Sequence, residues 1–414
     1  MSARWAMLLV IFFTRTSLGF QFQSIAALTP FLIAAFDLSY AEVGLLMGLF
    51  MLPGVVIALP GGLLGQRFGS VRVVVAGLAL MVVGGMIVSY ALGAGAAGVG
   101  RALSGVGGVL VNIMLARMVA EWFRGRELQT AMGVMLAAWP FGMALALAVL
   151  GPLAAAVSWR VAEYVTVAAA GVALGLIALG YRDPLTTGPL TLPSPQRGEG
   201  NGGAGGMRLR MPRRVWALAV SAGVAWALLN ASVIVVASFA PSFLMAHGAS
   251  VGEAGFLTGV ALWISIVAVP AGGLLAQKLE RPRLLIIAGC VATAVTIACI
   301  AWAPRPAFWM IASGILFGLP PSIMMSLLPR AVPSEHLAPA LGVYYALFYL
   351  GMAVSQTLAG LLRDITGYPG MPLLFASLLI LATVPAVAVF WRLEAAPDHQ
   401  VSAAFNVGPR RGVD

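Results

Sequence analysis

The stretch GGLLGQRFGSVR, Gly61 to Arg72, sits between two long apolar runs and concentrates glycine with arginine. The chain says nearly the same thing again in GGLLAQKLERPR, Gly272 to Arg283, at an offset of 211 residues and again between two apolar runs. A short basic loop that recurs at a fixed distance points to a duplicated membrane protein with both loops on one side.

Working outward, the same offset aligns Trp5 with Trp216, Pro30 with Pro241, Ser39 with Ser250, Glu42 with Glu253, Gly44 with Gly255 and Gly48 with Gly259. Within the loops it aligns Gly62, Gln66, Arg67 and Arg72 with Gly273, Gln277, Lys278 and Arg283. After a two-residue shift, Leu128, Ala131, Gly133 and Val134 match Leu337, Ala340, Gly342 and Val343. One register held over two spans and two loops is an internal repeat, not chance.

Composition fixes the solvent. Of 414 residues 61% are hydrophobic and 9% charged, too little polar surface to cover a water-soluble globule. A membrane helix needs roughly 20 apolar residues. The sequence divides into twelve such runs, near 5–34, 41–64, 71–94, 97–120, 128–152, 158–180, 215–244, 252–276, 282–303, 306–329, 338–361 and 370–392. The expected fold is therefore an all-α membrane protein of two parallel six-helix repeats. Residues 1–181 form the first half, 182–214 a linker rich in Pro, Gly and Ser, 215–393 the second half and 394–414 a tail.

The net charge of +10 is decided by position, not sign. Arg4, Arg67, Arg72, Arg124, Arg126, Arg182, Arg213, Arg214, Lys278, Arg283, Arg330 and Arg392 fall at alternate loops or ends. By the positive-inside rule both termini and the Gly61–Arg72 loop are expected in the cytoplasm, with the chain in the inner membrane. A nucleic-acid partner would need a basic face with stacking aromatics, which is missing. The first apolar run is long, is interrupted by Arg15 and lacks a small-residue cleavage site, so it reads as a span and not a signal peptide. Cys290 and Cys299 lie about half a turn apart around one helix and cannot pair with each other. His247, His336 and His399 stand apart from Cys and acidic clusters, so neither a metal nor a cofactor is expected.

Two six-helix halves with these loops resemble the major facilitator superfamily of secondary transporters. The local marks are Gly62-x-x-x-Gln66-Arg67-x-Gly69, similar to the family's loop motif, and Arg101-x-x-x-Gly105-x-Gly107, similar to its fourth-helix motif. The resemblance implies alternating access, no enzymatic chemistry and a gating role for Gly62, Gln66, Arg67, Gly69 and Arg72 with Gly273, Gln277 and Lys278. The family's loop usually carries Asp where this chain has Gln66 and Gln277, and that Asp helps lock the outward-open state. The stretch EWFRGRE, Glu121 to Glu127, with Gln66 and Arg15, loosely resembles anion-handling branches such as the cyanate-transporter-like group and its nitrate- and nitrite-related neighbours.

Arg15 is the sharpest single residue. It lies on the order of 16 Å into the first span, where an arginine costs about 3 kcal/mol to insert. It is read as an anchor for an anionic substrate; the alternative is a buried Arg bound to backbone carbonyls. Leu8, Phe12, Gly19 and Phe22 share its face, while Gln21 and Gln23 point elsewhere. Arg101, Gly105, Gly108 and Asn112 form one face of the fourth span, either lining the pathway or serving as an interfacial anchor with packing glycines. The family motif that Arg101 matches is associated with proton movement. Glu163, one turn from Arg160 at a shallow depth, is a proton site or the ion-pair partner of Arg160 or Arg101. Trp139, Trp226, Asn230, Tyr345, Tyr349 and Gln356 occupy depths where the family binds substrate, or else simply pack. Trp139-Pro140 and Pro320-Pro321 should interrupt helical hydrogen bonding in their spans, or simply kink them. The expectation is a monomeric carrier of a small anionic solute, with protons as the candidate coupling ion and drug or metabolite efflux as the rival reading.

Overall fold

The structure, a computed structural model, describes residues 3–58, 61–123, 125–181 and 211–396. Nearly all of the expected linker and tail lies outside the described residues. The rest is helical, and twelve helices are long and apolar enough to cross a bilayer. They are α1 (Arg4–Phe36), α2 (Tyr40–Ile57), α3 (Ser70–Ser89), α4 (Ala94–Trp122), α5 (Thr130–Ala156), α6 (Trp159–Gly180), α7 (Arg213–Ala246), α8 (Val251–Leu279), α9 (Pro282–Trp302), α10 (Pro306–Ala331), α11 (Glu335–Thr366) and α12 (Met371–Ala395).

Local chemistry sets the ends. Ser39 and Glu42 close a capping box at the start of α2, and Ser250 and Glu253 close the same box at the start of α8. The repeat seen in sequence thus preserves a working N-cap, in which hydroxyl and carboxylate satisfy orphan amides reciprocally. At the other end of α11, Gly367 turns left-handed at φ 67° and its N–H donates to Arg363 O at 2.9 Å.

One expectation about element ends needs correcting. The second span stops at Ile57, and Gly61–Phe68 is a separate short helix, not the end of that span followed by loop. Pro140, which has no N–H to donate, leaves α5 continuous from Gly125 to Ala156. Pro320-Pro321 does break α10, which divides into Pro306–Leu316, Pro320–Met325 and Leu327–Ala331. A proline whose carbonyl partner is lost is tolerated where neighbouring helices cover the gap.

The irregularity that matters most was not expected. α1 departs from regular helix at Gln23, between Ala3–Phe22 and Ser24–Phe36, although the Gln23 N–H still donates to Gly19 O and the Ala27 N–H to Gln23 O, both at 3.1 Å; no proline stands at this position.

The two halves meet along α2 with α11 and α5 with α8. Both seams have glycine crossings on the face away from the Gly61–Arg72 loop, and the α2–α11 seam runs on to Gly54, which packs on the Tyr349 ring. A Cβ built on Gly44 would lie 2.2 Å from Gln356 O, on Gly360 2.0 Å from Tyr40 O, and on Gly255 2.0 Å from Leu147 O. Only glycine allows backbones this close. What remains between the halves there is a cavity of about 10 Å³, lined by Ala27, Pro30, Leu147, Pro241, Ser242 and Gly255 among others. On the loop side, the first segment of α1, the Gly61–Phe68 helix and the last two pieces of α10 make their extensive contacts within their own halves. The halves are closed on the far face, and their contacts thin beyond Ile57 on the loop face.

Candidate functional site

Burying a charge in an apolar interior is costly unless it is paired, so each buried charge asks what satisfies it. Four charged side chains are buried among the described residues: Arg15, Arg101, Glu163 and Arg363. Three have partners.

Arg101, 1% exposed, donates from Nε to Leu46 O at 3.2 Å, from one terminal nitrogen to Gln21 O at 2.9 Å and from the other to Phe22 O at 2.9 Å. Its guanidinium lies 4.6 Å from the Phe50 ring centroid. Gln21 and Phe22 end the first segment of α1, so the guanidinium meets the carbonyl end of that segment, where the helix dipole is negative. Arg101 therefore clasps the irregularity in α1. It is neither an interfacial anchor nor a wall of the pathway. Its neighbours Gly105 and Gly108 press on Phe50, which fits the packing alternative for those glycines.

Glu163 is 1% exposed, contrary to the shallow position read from its place near the start of α6. Ser24 Oγ donates to its Oε1 at 3.0 Å, at the start of the second segment of α1. Arg160 is engaged elsewhere, donating to Ala91 O at 3.1 Å with its guanidinium 4.4 Å from the Trp159 ring centroid.

Arg363 belongs to a cluster that sequence reasoning missed. It donates to Ser242 Oγ at 2.6 Å and to Tyr40 Oη at 2.9 Å, with its guanidinium 3.6 Å from the Tyr40 ring centroid. Beside it, Asp364 accepts from the backbone N–H of Tyr40 at 3.0 Å and of Ala41 at 2.8 Å. A residue pair from α11 thus completes the N-terminal cap of α2 across the seam between halves. The available signal was a cation on the side that the positive-inside pattern leaves poor in cations.

Arg15 has no such partner. It is 9% exposed, its Nε has no hydrogen-bond partner, and no described carboxylate pairs with it. The ionisable groups close enough to act on its charge are Tyr349 and Tyr345, both from the other half. Tyr349 accepts a hydrogen bond from Asn112 Nδ2 at 3.3 Å, while Asn112 Oδ1 is buried without a partner. Arg15, Asn112, Tyr345 and Tyr349 therefore converge from α1, α4 and α11. Aromatic pairs include residues of α1 and α11: Phe22 packs on Trp139 with centroids 5.2 Å apart, Phe12 on Phe141 at 5.8 Å, and Phe348 on Tyr349 at 5.1 Å.

Not every expected site residue joins this group. Gly19 is jammed against α5, where an added Cβ would lie 2.4 Å from Trp139 O, so it is a crossing point and not a contact surface. Asn230 donates to Trp226 O of its own helix at 2.8 Å. Gln23 donates to Ala237 O at 2.9 Å and Gln356 to Ser238 Oγ at 3.0 Å, stitching α1 and α11 to α7. Of the loop residues, Arg67, Gly69, Arg72, Gln277 and Lys278 are exposed, and Gly69 takes φ 84° at the turn. Gly273 packs toward Ser322, Gly62 lies in the short helix, and the side chain of Gln66 lies outside the described residues.

Twelve spanning helices in two six-helix halves around a polar cluster define a multi-pass membrane transporter. The chain belongs to the Major Facilitator Superfamily, whose profile matches residues 7–246 and again 227–410. It is 23% identical over 386 residues to the inner membrane transport protein YajR of Escherichia coli, covering 89% of this chain and 79% of that one. It is 24% identical over 394 residues to the lysosomal dipeptide transporter MFSD1 of Danio rerio, covering 90% and 83%. The multi-drug resistance efflux pump PmrA of Streptococcus pneumoniae is 28% identical over 165 residues, 38% of this chain and 41% of that one. Among solved structures, a D-xylose–proton symporter superposes with TM-score 0.75 at 16% identity, covering 97% of this chain and 99% of the other. A bacterial homologue of the lysosomal transporter Spinster superposes at 0.71 and 17% identity, covering 98% of each. The solutes named for three of these relatives, a dipeptide, multiple drugs and D-xylose, are dissimilar, so the family fixes the machine and leaves its cargo to the site.

Proposed function

We propose that the protein carries a small organic or inorganic anion with one charged group across the inner membrane by alternating access. The observation that carries this reading is the buried, unpartnered Arg15 beside an unpartnered Asn112 Oδ1 and two tyrosines from the opposite half. A cation left without a protein partner at this depth is a standing demand for an anion. The neutral Asn and Tyr groups orient the rest of the solute, and the aromatic rings of these helices favour a body with apolar surface. A site with donors from both halves also couples binding to their approach, since the solute is held best when both are in contact.

The basic loops lie on the cytoplasmic side by the positive-inside rule, which makes the closed far face the outer one and this state inward-facing. MFSD1, described as a dipeptide transporter, handles a solute that bears a carboxylate, which favours the same chemistry for this chain.

The test is uptake into proteoliposomes of radiolabelled cyanate, nitrite, monocarboxylates, dicarboxylates and a dipeptide. One anion class is expected to move, and Arg15→Gln to abolish its uptake while Arg15→Lys retains part. If Arg15→Gln carried the best anion as well as wild type, the anchor would be lost. If no anion moved and a cationic dye was extruded, efflux would replace this reading.

A further inference from the structure

We propose that Glu163 is a proton-binding site through which proton binding is coupled to opening of the outer gate. The observations are the irregularity in α1 and the two charges that hold it. Arg101 takes the carbonyls of Gln21 and Phe22 on one side of Gln23, and Glu163 takes the Ser24 hydroxyl on the other. A cation thus faces the carboxyl end of one helical segment and an anion faces the amino end of the next, each complementing a dipole. Broken spans held by helix-end charges are where transporters place their ion sites.

Two features make Glu163 the part that changes state. It is the one buried carboxylate among the described residues, and its Oε2 is buried without a hydrogen-bond partner. Arg101 is the charged side chain that faces it, yet its three donor positions are committed to carbonyls and it makes no ion pair with Glu163 within 4.0 Å. From the elements packed on α6, the other titratable groups nearby point elsewhere: Arg160 lies on Trp159, and Tyr90 pairs with Tyr164 at 5.7 Å between ring centroids. Oε2 is therefore the open acceptor.

The segment that Glu163 holds is part of the gate. Gln23 donates across the seam to Ala237 O, and Ala27 and Pro30 line the residual outer cavity against Pro241 and Ser242. With Glu163 ionised, its attraction to the amino end of Ser24–Phe36 and to Arg101 keeps α1 bent and this segment seated. A proton from outer water that bonds to Oε2 neutralises the carboxylate, removes that attraction and frees the segment to swing from α7. When the O–H bond breaks again, the segment reseats. This proposal rests on the transporter fold and is independent of the anion reading at Arg15.

The test places a single reporter, Ala27→Cys, in the full-length protein with Cys290 and Cys299 replaced by Ala. Labelling by a membrane-impermeant maleimide from outside is followed as outer pH falls, and at each pH is divided by that of a protein carrying the exposed Ala246→Cys instead, because the thiolate is the nucleophile and its fraction falls with pH. Labelling should rise several-fold on acidification. Glu163→Gln, which mimics the neutral carboxyl, should label at the high level at every pH, and Arg15→Gln should keep the wild-type profile. Ser24→Ala keeps the carboxyl and should displace the profile, which preserves the test if Glu163→Gln fails to fold. A wild-type profile in Glu163→Gln or in Ser24→Ala would overturn the proposal. So would a flat profile in Arg15→Gln, which would move the titration to the anion site.

Discussion

At the scale of single residues, two arginines that look alike in sequence do opposite work. Both interrupt apolar runs, and for each the sequence left a functional and a structural role open. Arg101 spends its donors on three backbone carbonyls, while Arg15 is left with an unpartnered nitrogen among neutral groups. Residue type and depth could not separate them, because satisfaction depends on helices 55 to 80 positions away in the chain. The distinction has a measurable consequence. Arg101→Ala strands those carbonyls and should cost about 2–4 kcal/mol of stability, since hydrogen bonds to charged groups contribute roughly 1.5–3 kcal/mol each in water and less in membranes. Arg15→Ala should leave stability unchanged or raised, as it removes a buried unpaired charge. Reversible unfolding of the two variants in detergent would check the contrast.

At the scale of elements, the helices and their duplication were legible and the interruptions were only partly so. Pro320-Pro321 announced its break, because proline lacks the donor and clashes with the preceding turn. The irregularity at Gln23 carries no such residue; Arg101 and Glu163 hold its two sides from other helices. Pro140, conversely, sits in an unbroken α5. The outer seam was half legible. Gly44 and Gly255 were matched by the repeat, and the structure gives both the same job of letting a helix of one half touch the other. Arg363 and Asp364 have no counterpart in the repeat, so the latch they form is one-sided. Asp364→Asn replaces a carboxylate that accepts two first-turn N–H groups of α2 and should loosen the gate. Gly360→Ala forces a methyl against Tyr40 O and should loosen it more. Outside labelling at Ala27→Cys is expected to increase in that order; unchanged labelling in Gly360→Ala would mean the seam does not close the outer side.

At the scale of the whole molecule, closure and binding share parts. The far face is sealed by glycine crossings and the Arg363–Tyr40–Asp364 contacts, the contacts between the halves thin on the loop face, and the unpartnered arginine lies between with tyrosines from the opposite half beside it. A solute that satisfies Arg15 and Asn112 draws both halves to one point, which is what a carrier needs for binding to bias its two states. The fold class was readable because a duplicated loop constrains the entire chain, whereas the cargo depends on whether one side chain is satisfied, a three-dimensional fact. The most direct measurement is therefore saturation binding to purified protein of the anion that the uptake panel identifies, in wild type and Arg15→Gln. Loss of a charge-assisted contact predicts affinity reduced by about 10-fold to 150-fold, equivalent to roughly 1.5–3 kcal/mol. Equal affinity in the two proteins would contradict the account.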